Sequence, residues 1–217
     1  MPAGVAGGVL LVLALAQVLL PRLAASRISS RVGRYGSVQS VSVSAWPAIE
    51  LLWGDIGSVR VHARSLALSP EQAASLLWEG RGASSMQLSA QRVKLGSLQL
   101  TDASLQMHGS ALSARASVSE DAVKAALPEG VGLRLLRSGG GEVEVQASGS
   151  LFGVGASVDA VAGASGGKLV AHPRGFLIEG LQLTLFSAPH VYVEGVGASV
   201  TGESPVSYRL TMSARLQ

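Results

Sequence analysis

From residue 38 to its end, the chain alternates apolar residues with small polar ones in short runs that glycines interrupt. Neighbouring side chains of a β-strand point to opposite faces of a sheet, so each run collects its apolar groups on one face. The runs fall at residues 41–45, 86–90, 98–100, 105–107, 112–118, 143–147, 181–185, 191–193, 196–200 and 208–216. Separated by short turns, they predict an antiparallel sheet with one dry face. Many inward residues are small, which favours a curved sheet with something lying in its hollow.

Two segments between the runs carry helix signals instead. Residues 69–72 read Ser-Pro-Glu-Gln, a capping box with proline in the first turn. Residues 119–121 read Ser-Glu-Asp, where the acids complement the positive end of a helix. The sequence therefore predicts helices over Pro70–Glu79 and Glu120–Leu127. Their apolar faces contain Leu76 and Leu77 in the first helix and Val123 and Leu127 in the second.

A third helix is predicted over Pro47–Ile56, because apolar residues recur there at spacings of three and four. These residues are Trp46, Ile49, Leu52, Trp53 and Ile56. From Val59 the spacing changes to two, which indicates a strand. An apolar helix that folds back into a long strand suits a lid on a curved sheet. The tryptophans could anchor the core of the domain. Alternatively, they could lie at the mouth of an apolar cavity or at the bilayer interface, where an indole is partly in apolar surroundings and partly hydrogen-bonded.

The N-terminus carries an apolar segment. Residues 4–20 contain no charge and are long enough for the core of a signal peptide or a short membrane span. We therefore divide the chain into a signal peptide or membrane anchor at 1–21, a basic juxtamembrane segment at 22–36 and a single domain at 37–217. Arginines follow the apolar run and none precedes it, so the positive-inside rule, taken literally, would leave the domain in the cytoplasm. The residues leave topology and cleavage open.

Three arginines of the juxtamembrane segment, Arg27, Arg31 and Arg34, share one face of a possible helix. Together with Arg22, they contribute much of the net charge of +3 and of the isoelectric point near 9.7. Against anionic lipid headgroups, each would contribute about 1 kcal/mol of attraction. A solvated linker explains the same three residues equally well.

The remaining residues offer little reactive chemistry. The chain has no cysteine and its four histidines stand singly, so we expect no metal site and no cofactor. No phosphate-binding loop or dinucleotide motif occurs, and the basic residues are not interleaved with aromatics, which argues against nucleic-acid binding. Residues 163–167 match a nucleophile elbow, which would join Ser165 to Glu179 and His190. A strand pattern follows where that motif needs a helix, so a plain turn is the favoured interpretation.

Residues 41–54 have the pattern V-x-V-x-A-x-P-x-x-x-L-L-x-G and lead into a valine-alternating strand at 59–61. A helix start at 116–127 and a late Pro-His-Val-Tyr-Val run at 189–193 follow. Over residues 37–217 the chain resembles the LmeA-like phospholipid-binding family of bacterial cell-envelope proteins. Trp46 and Ala48 flank the proline, where members of that family commonly show phenylalanine.

The resemblance implies an extracytoplasmic, membrane-anchored protein that binds phospholipid without catalysis. It also implies an α+β fold with a strongly curved antiparallel sheet wrapped around a few short helices, as in tubular lipid-binding proteins. Our hypothesis is that acyl chains lie between the sheet and the nine apolar helix residues named above, for lipid transfer or maintenance of envelope lipids. The expected partners are phospholipid and the membrane. The rival functions are a structural or assembly protein of the envelope without a ligand and, less favoured, a hydrolase that uses Ser165.

Overall fold

The computed structural model describes residues 25–44, 56–151, 154–174, 180–203 and 205–217. In these ranges the chain is mostly β-sheet with three short helices. The helices are α1 (residues 25–32), α2 (Pro70–Glu79) and α3 (Glu120–Ala126), and 3-10 turns follow the first two at Gly33–Tyr35 and Gly80–Gly82. The strands are β1 (Gly36–Ser44), β2 (Ile56–Leu68), β3 (Ala83–Leu95), β4 (Leu98–His108), β5 (Ala111–Ser119), β6 (Gly132–Gly139), β7 (Glu142–Leu151), β8 (Val154–Ser165), β9 (Lys168–Arg174), β10 (Leu183–Phe186), β11 (Val191–Glu203) and β12 (Val206–Leu216).

The described strands form two open sheets in place of the single sheet that the sequence predicts. One has the order β1-β2-β3-β4-β5-β12-β11 and the other β10-β9-β8-β7-β6. Neighbouring strands pair antiparallel except β2 and β3, which run parallel with Val59 opposite Met86. The expectation of purely antiparallel pairing is therefore wrong at this pair. Parallel neighbours need a crossover connection, and α2 with the 3-10 turn after it provides one.

The starts of α2 and α3 agree with the sequence prediction. The hydroxyl of Ser69 accepts a hydrogen bond from the backbone N–H of Gln72 at 3.2 Å, and the Gln72 side chain accepts one from the backbone N–H of Ser69 at 2.8 Å. The hydroxyl of Ser119 accepts from the backbone N–H of Ala122 at 3.2 Å. Helix α3 ends one residue earlier than predicted, because Leu127 precedes a proline and is extended.

The main core lies on one face of the seven-stranded sheet, beneath α1 and α2. Val32 of α1 and Ala74 of α2 are both buried in it. Ala25 and Ile28 of α1 pack against the same cluster. Residues that the sequence assigned to the juxtamembrane segment therefore contribute to the core of the domain.

The second sheet meets the first along the outer edge of β11. Two turns of the second sheet supply acceptors to this edge: the N–H of Val193 donates to Gly167 O at 2.8 Å, and that of Val196 donates to Gly141 O at 2.9 Å. The backbones approach closely here, since a Cβ on Gly195 would lie 3.2 Å from the Cα of Gly141. These contacts cover an edge that would otherwise be open to pairing with another chain.

Parts of the predicted organisation fall outside the described ranges. The apolar segment 1–21 lies there, and so does the predicted lid helix apart from Ile56. Ile56 begins β2 opposite Ala83 of β3, so its placement at the end of a helix is wrong. Isoleucine is β-branched and favours strands, and pairing with β3 begins at this residue. The helices that the structure describes are too short or too polar to cross a membrane.

Candidate functional site

The candidate site is the apolar face of the seven-stranded sheet, where the side chains lie in rows that cross the strands. Every residue of the first row is at most 9% exposed. The first row consists of Val43, Val59, Met86, Met107, Leu112, Ala214 and Val193. Met107 lies at its centre, between Met86 and Leu112, and has no exposed surface. The first row is therefore ordinary protein core.

The next two rows are only partly covered. The second row consists of Val41, Val61, Leu88, Leu105, Ala114, Met212 and Val196. The third row consists of Val38, Ala63, Ala90, Ala103, Ala116, Leu210 and Ala198. Val61, Ala63 and Ala90 are buried, whereas the other members keep intermediate exposure. Because the third row is mostly alanine, it leaves room above the sheet.

Six members of these rows on β5, β12 and β11 do not belong to the main core, and we name them the open apolar strip. It consists of Ala114, Ala116, Leu210, Met212, Val196 and Ala198. None of these six described residues packs against the core cluster beneath α1 and α2. Val200 lies further along β11 and is 55% exposed. An apolar surface left partly open in this way is typical of a binding site for an apolar partner.

Helix α2 places its two predicted residues differently. Leu77 packs against the core cluster, of which Ala74 is a buried member, whereas Leu76 is half-buried. At the C-terminal end of α2, Glu79 forms an ion pair with Arg31 of α1. The pair joins the two helices that cover the core.

The end of α2 also contacts the opposite edge of the sheet. The ring of Trp78 stacks on the ring of His190 with centroids 4.0 Å apart and planes 14° apart. The guanidinium carbon of Arg81 lies 4.1 Å from the centroid of the Trp78 ring. His190 directly precedes β11, which lies at one end of the strand order, whereas α2 follows β2 near the other end. Sequence spacing gave no signal for this contact, because its partners are distant in the chain.

Helix α3 covers a different part of the sheet. It contacts β4, β5, β12 and β6, whereas α2 contacts β2. Val123 and Leu127 are both half-buried there. The predicted site residues of the two helices thus share one sheet but belong to separate contacts. The other predicted lipid-binding residues, Trp46, Ile49, Leu52 and Trp53, lie outside the described ranges.

The three predicted membrane-surface arginines are all exposed. Arg31 is engaged with Glu79. Arg27 and Arg34 form no ion pair within the described part of the chain, and both guanidinium groups are therefore available to an external anion.

The electrostatics of the apolar face are simple. Among the described residues no polar or charged side chain is buried. The perturbed groups lie on exposed helix surfaces: the hydrogen bond from the Ser69 hydroxyl lowers the pKa of Glu71, and the hydrogen bond to Glu120 raises the pKa of Lys124. The described ranges also hold no cluster of His, Asp or Glu side chains that suits a metal ion. The face can therefore bind an apolar group, and its described residues offer nothing for acid–base chemistry.

The candidate nucleophile lies in a plain turn. Ser165 ends β8 and Lys168 begins β9, with left-handed φ values at Gly166 and Gly167 between them. A nucleophile elbow needs a helix after the serine, and a strand follows here. The turn interpretation is therefore confirmed.

These observations define a class of protein: a mainly β-sheet domain that leaves part of an apolar face open, with no buried charge in the residues described. Such a domain is suited to binding an apolar ligand. A family model described as LmeA-like phospholipid-binding matches residues 12–213, nearly the whole chain. The chain belongs to this family, which confirms the resemblance seen in its sequence. No curated protein and no solved structure matches it.

Sequence reasoning placed the candidate lipid-binding residues on helices, which stays a prediction, and it did not identify the open apolar strip. The signal was present in the alternation at residues 112–118, 196–200 and 208–216. Alternation shows which residues share a face of one strand. It does not show that β5, β12 and β11 are neighbours, and the strip exists only because they are.

Proposed function

We propose that this protein binds phospholipid with the acyl chains lying along the open apolar strip and the second row. The observation that carries the proposal is the partial exposure of the strip in a chain that belongs to a phospholipid-binding family. Each methylene that leaves water on this surface contributes about 0.8 kcal/mol.

The dimensions of the sheet support an acyl chain laid across the strands. Half of a bilayer hydrocarbon core of about 30 Å gives a chain reach of about 15 Å. Neighbouring strands lie about 4.8 Å apart, so that reach crosses four strands. In the second row these are β4, β5, β12 and β11, which carry Leu105, Ala114, Met212 and Val196.

We further infer that the seven-stranded sheet curves around its helices. The pairing of β1 with β2 shifts register at Val38, and the pairing of β4 with β5 shifts between Thr101 and Ser104. Bulges of this kind bend strands. The contact between Trp78 and His190, which brings α2 to the far edge of the sheet, supports the same geometry. The nine predicted lipid-binding residues would then line or close the hollow.

The proposed location is the bacterial cell envelope, with the domain on the extracytoplasmic side and the N-terminal segment as anchor or secretion signal. Arg27 and Arg34 would meet anionic headgroups, since both are exposed and unpaired in the described part of the chain. The proposed role is non-enzymatic, in lipid transfer or maintenance of envelope lipids. Protease treatment of intact cells with a permeable outer layer tests the location: a protected domain would contradict it.

The binding proposal is tested by Ala114→Glu in the full chain, with Ser113→Glu as its matched control. These adjacent residues lie on opposite faces of β5, and neither is buried. A carboxylate at position 114 must lose water beneath a bound acyl chain, which costs several kcal/mol, whereas one at position 113 stays in water. Titration with phospholipid in detergent, followed by native mass spectrometry, should show at least tenfold weaker binding for Ala114→Glu. Binding by Ser113→Glu should stay within twofold of the unmodified chain.

Circular dichroism must show that both variants remain folded. Met212→Gln gives a second variant, because it keeps the size of the side chain and adds polarity in the same strip. Equal phospholipid binding by Ala114→Glu, Met212→Gln and the unmodified chain would reject the strip as the site. An unmodified chain that binds no phospholipid would instead favour the structural protein of the envelope.

A further inference from the structure

A polar cleft of about 520 Å³ lies on the outer face of the seven-stranded sheet, behind the open apolar strip. We name it the arginine cleft. Its polar lining consists of Asp102 and Ser104 on β4, Arg115 and Ser117 on β5, and Arg209 and Thr211 on β12. Strands β5 and β12 thus contribute to the strip on one face and to the cleft on the other.

The strand register brings the two arginines together. Arg115 lies opposite Thr211 and Ser117 lies opposite Arg209, so the two guanidinium groups extend from diagonal positions of one antiparallel pair. Diagonal neighbours on one face have Cβ atoms about 7–8 Å apart, and arginine side chains are long enough to close on a single small ligand across that distance. On the other side of Arg115, Ser104 of β4 completes the row.

A bulge in β4 shapes the cleft. Between Thr101 and Ser104, β4 has one more residue than the facing stretch of β5. Asp102 lies in this bulge with a left-handed φ of 49°. A bulge interrupts the ladder and bends the strand, and Asp102 in this bulge lines the cleft.

The cationic groups of the cleft have no anionic partner within the described part of the chain. Arg137, Arg174 and Arg215 each pair with a glutamate, whereas Arg115 and Arg209 do not. The hydroxyls of Ser104, Ser117 and Thr211 likewise form no hydrogen bond there. Two guanidinium groups and three hydroxyl donors therefore face an open cleft.

We propose that the arginine cleft binds a phosphate group. Guanidinium groups bind phosphate oxygens through paired N–H donors, and the hydroxyls donate to the remaining oxygens. The Asp102 carboxylate repels the anion and lowers the affinity. The cleft and the strip lie on opposite faces, so this site does not depend on acyl-chain binding at the strip.

The first test is calorimetric titration of the full chain with inorganic phosphate at constant ionic strength. Arg115→Gln and Arg209→Gln should each weaken phosphate binding at least fivefold. Arg60→Gln is the matched control, because Arg60 is exposed on the same face of the sheet but on β2. It should change the affinity by less than twofold. Circular dichroism confirms that each variant is folded.

Asp102→Asn tests the sign of the charge effect. Asparagine tolerates the left-handed backbone of this position, so the bulge is kept while the repulsion is removed. Phosphate binding should become at least twofold tighter. The proposal is overturned if phosphate does not saturate the unmodified chain, if Arg60→Gln weakens binding as much as Arg115→Gln, or if Asp102→Asn abolishes it.

Competition distinguishes the sources of the phosphate group. Phosphatidylcholine vesicles that contain phosphatidylglycerol are added to the phosphate-saturated chain, and the bound phosphate is measured again. Displacement by these vesicles but not by pure phosphatidylcholine vesicles assigns the cleft to an anionic lipid headgroup. Retention of phosphate in both cases assigns it to a soluble phosphate compound.

Discussion

Replacement of Gly36 by alanine tests the tight junction between β1 and β2. A Cβ at this position would lie 2.0 Å from the carbonyl oxygen of Ser65 and 2.9 Å from the Cα of Leu66. Both are backbone atoms, so no side-chain rotation relieves the clash. The φ of Gly36 is 162°, an extended value that alanine adopts freely, so the cost arises from the contact alone.

The structure sets the size of this effect. Relief of the clash requires β1 to move away from β2 by about 1 Å, which breaks the pairs of Gly36 with Leu66 and Ser37 with Ser65. Each lost hydrogen bond costs about 1 kcal/mol, and buried Leu66 loses part of its cover. We expect the free energy of unfolding to fall by about 2–3 kcal/mol, as measured by urea denaturation of the full chain.

Gly33→Ala is the control for this substitution. It lies three residues earlier, in the 3-10 turn, and a Cβ there would have no neighbour within 4 Å. The alanine restricts the unfolded chain, so the free energy of unfolding should stay unchanged or rise by up to about 1 kcal/mol. A Gly36→Ala protein as stable as Gly33→Ala would refute the reasoning, because the described contact between β1 and β2 would then not exist.

Substitutions at three further positions test other contacts by the same denaturation assay. Met107→Ala should lower the free energy of unfolding by about 3 kcal/mol, because it leaves a cavity at the centre of the first row. Met107→Leu nearly conserves the side-chain volume and should cost less than about 1.5 kcal/mol. Equal costs for the two variants would contradict the close packing around Met107. Ser69→Ala should lower the free energy of unfolding by about 1 kcal/mol, because α2 loses its N-terminal cap. The hydrogen bond from the Ser69 hydroxyl lowers the pKa of Glu71 in the folded state, so the substitution should raise that pKa in an NMR titration. The stabilisation from this hydrogen bond is present above the ordinary pKa of Glu71 and is lost as the pH falls through the pKa of the folded state. Glu144→Gln removes the ion pairs to Arg137 at 2.9 Å and to Arg174 at 2.7 Å. The free energy of unfolding should fall by about 1 kcal/mol at low salt and by less at about 1 M salt, because salt screens the charges. A decrease in stability that does not depend on salt would exclude an electrostatic origin.

The parts of the fold that follow from local chemistry were predictable from the sequence. The capping groups at Ser69 and Ser119 act within three residues, so both helix starts could be read directly. Alternation likewise gave most of the strands. The sequence did not reveal which strands are neighbours, because alternation looks the same in one sheet or two. For that reason the parallel pairing of β2 with β3 and the separate sheet from β6 to β10 were both missed.

For the candidate sites, too, the residues that local sequence marks could be predicted, and those that strand pairing brings together could not. The helix residues Leu76 and Val123 could be named from spacing, and their role in lipid binding stays a prediction. The arginine cleft could not be named, because Arg115 and Arg209 come together only through the pairing of β5 with β12. Its shape also depends on the extra residue near Asp102, and nothing in the local sequence marks that position as a bulge.

The described stretches of the helices are too small to cover the whole face of the seven-stranded sheet. Seven strands of about 11 residues each make a face of about 1,200 Å², from a strand spacing of about 4.8 Å and a rise of about 3.3 Å per residue. The described stretches of α1, α2 and α3 contain 8, 10 and 7 residues. At a rise of about 1.5 Å and a diameter of about 10 Å, their combined footprint is about 370 Å², roughly a third of that face.

A purely structural protein would cover the open apolar strip with its own apolar groups, whereas the six residues of the strip keep intermediate exposure in the described part of the chain. The second sheet meets the first along β11, through backbone hydrogen bonds and through the Ser138 hydroxyl, which accepts a hydrogen bond from the backbone N–H of Ala198 at 2.9 Å. Acyl chains match the open apolar strip in polarity, because both are apolar. The partial exposure of the strip, in a chain that belongs to a phospholipid-binding family, is therefore the reason that we favour a lipid-binding protein over a structural one.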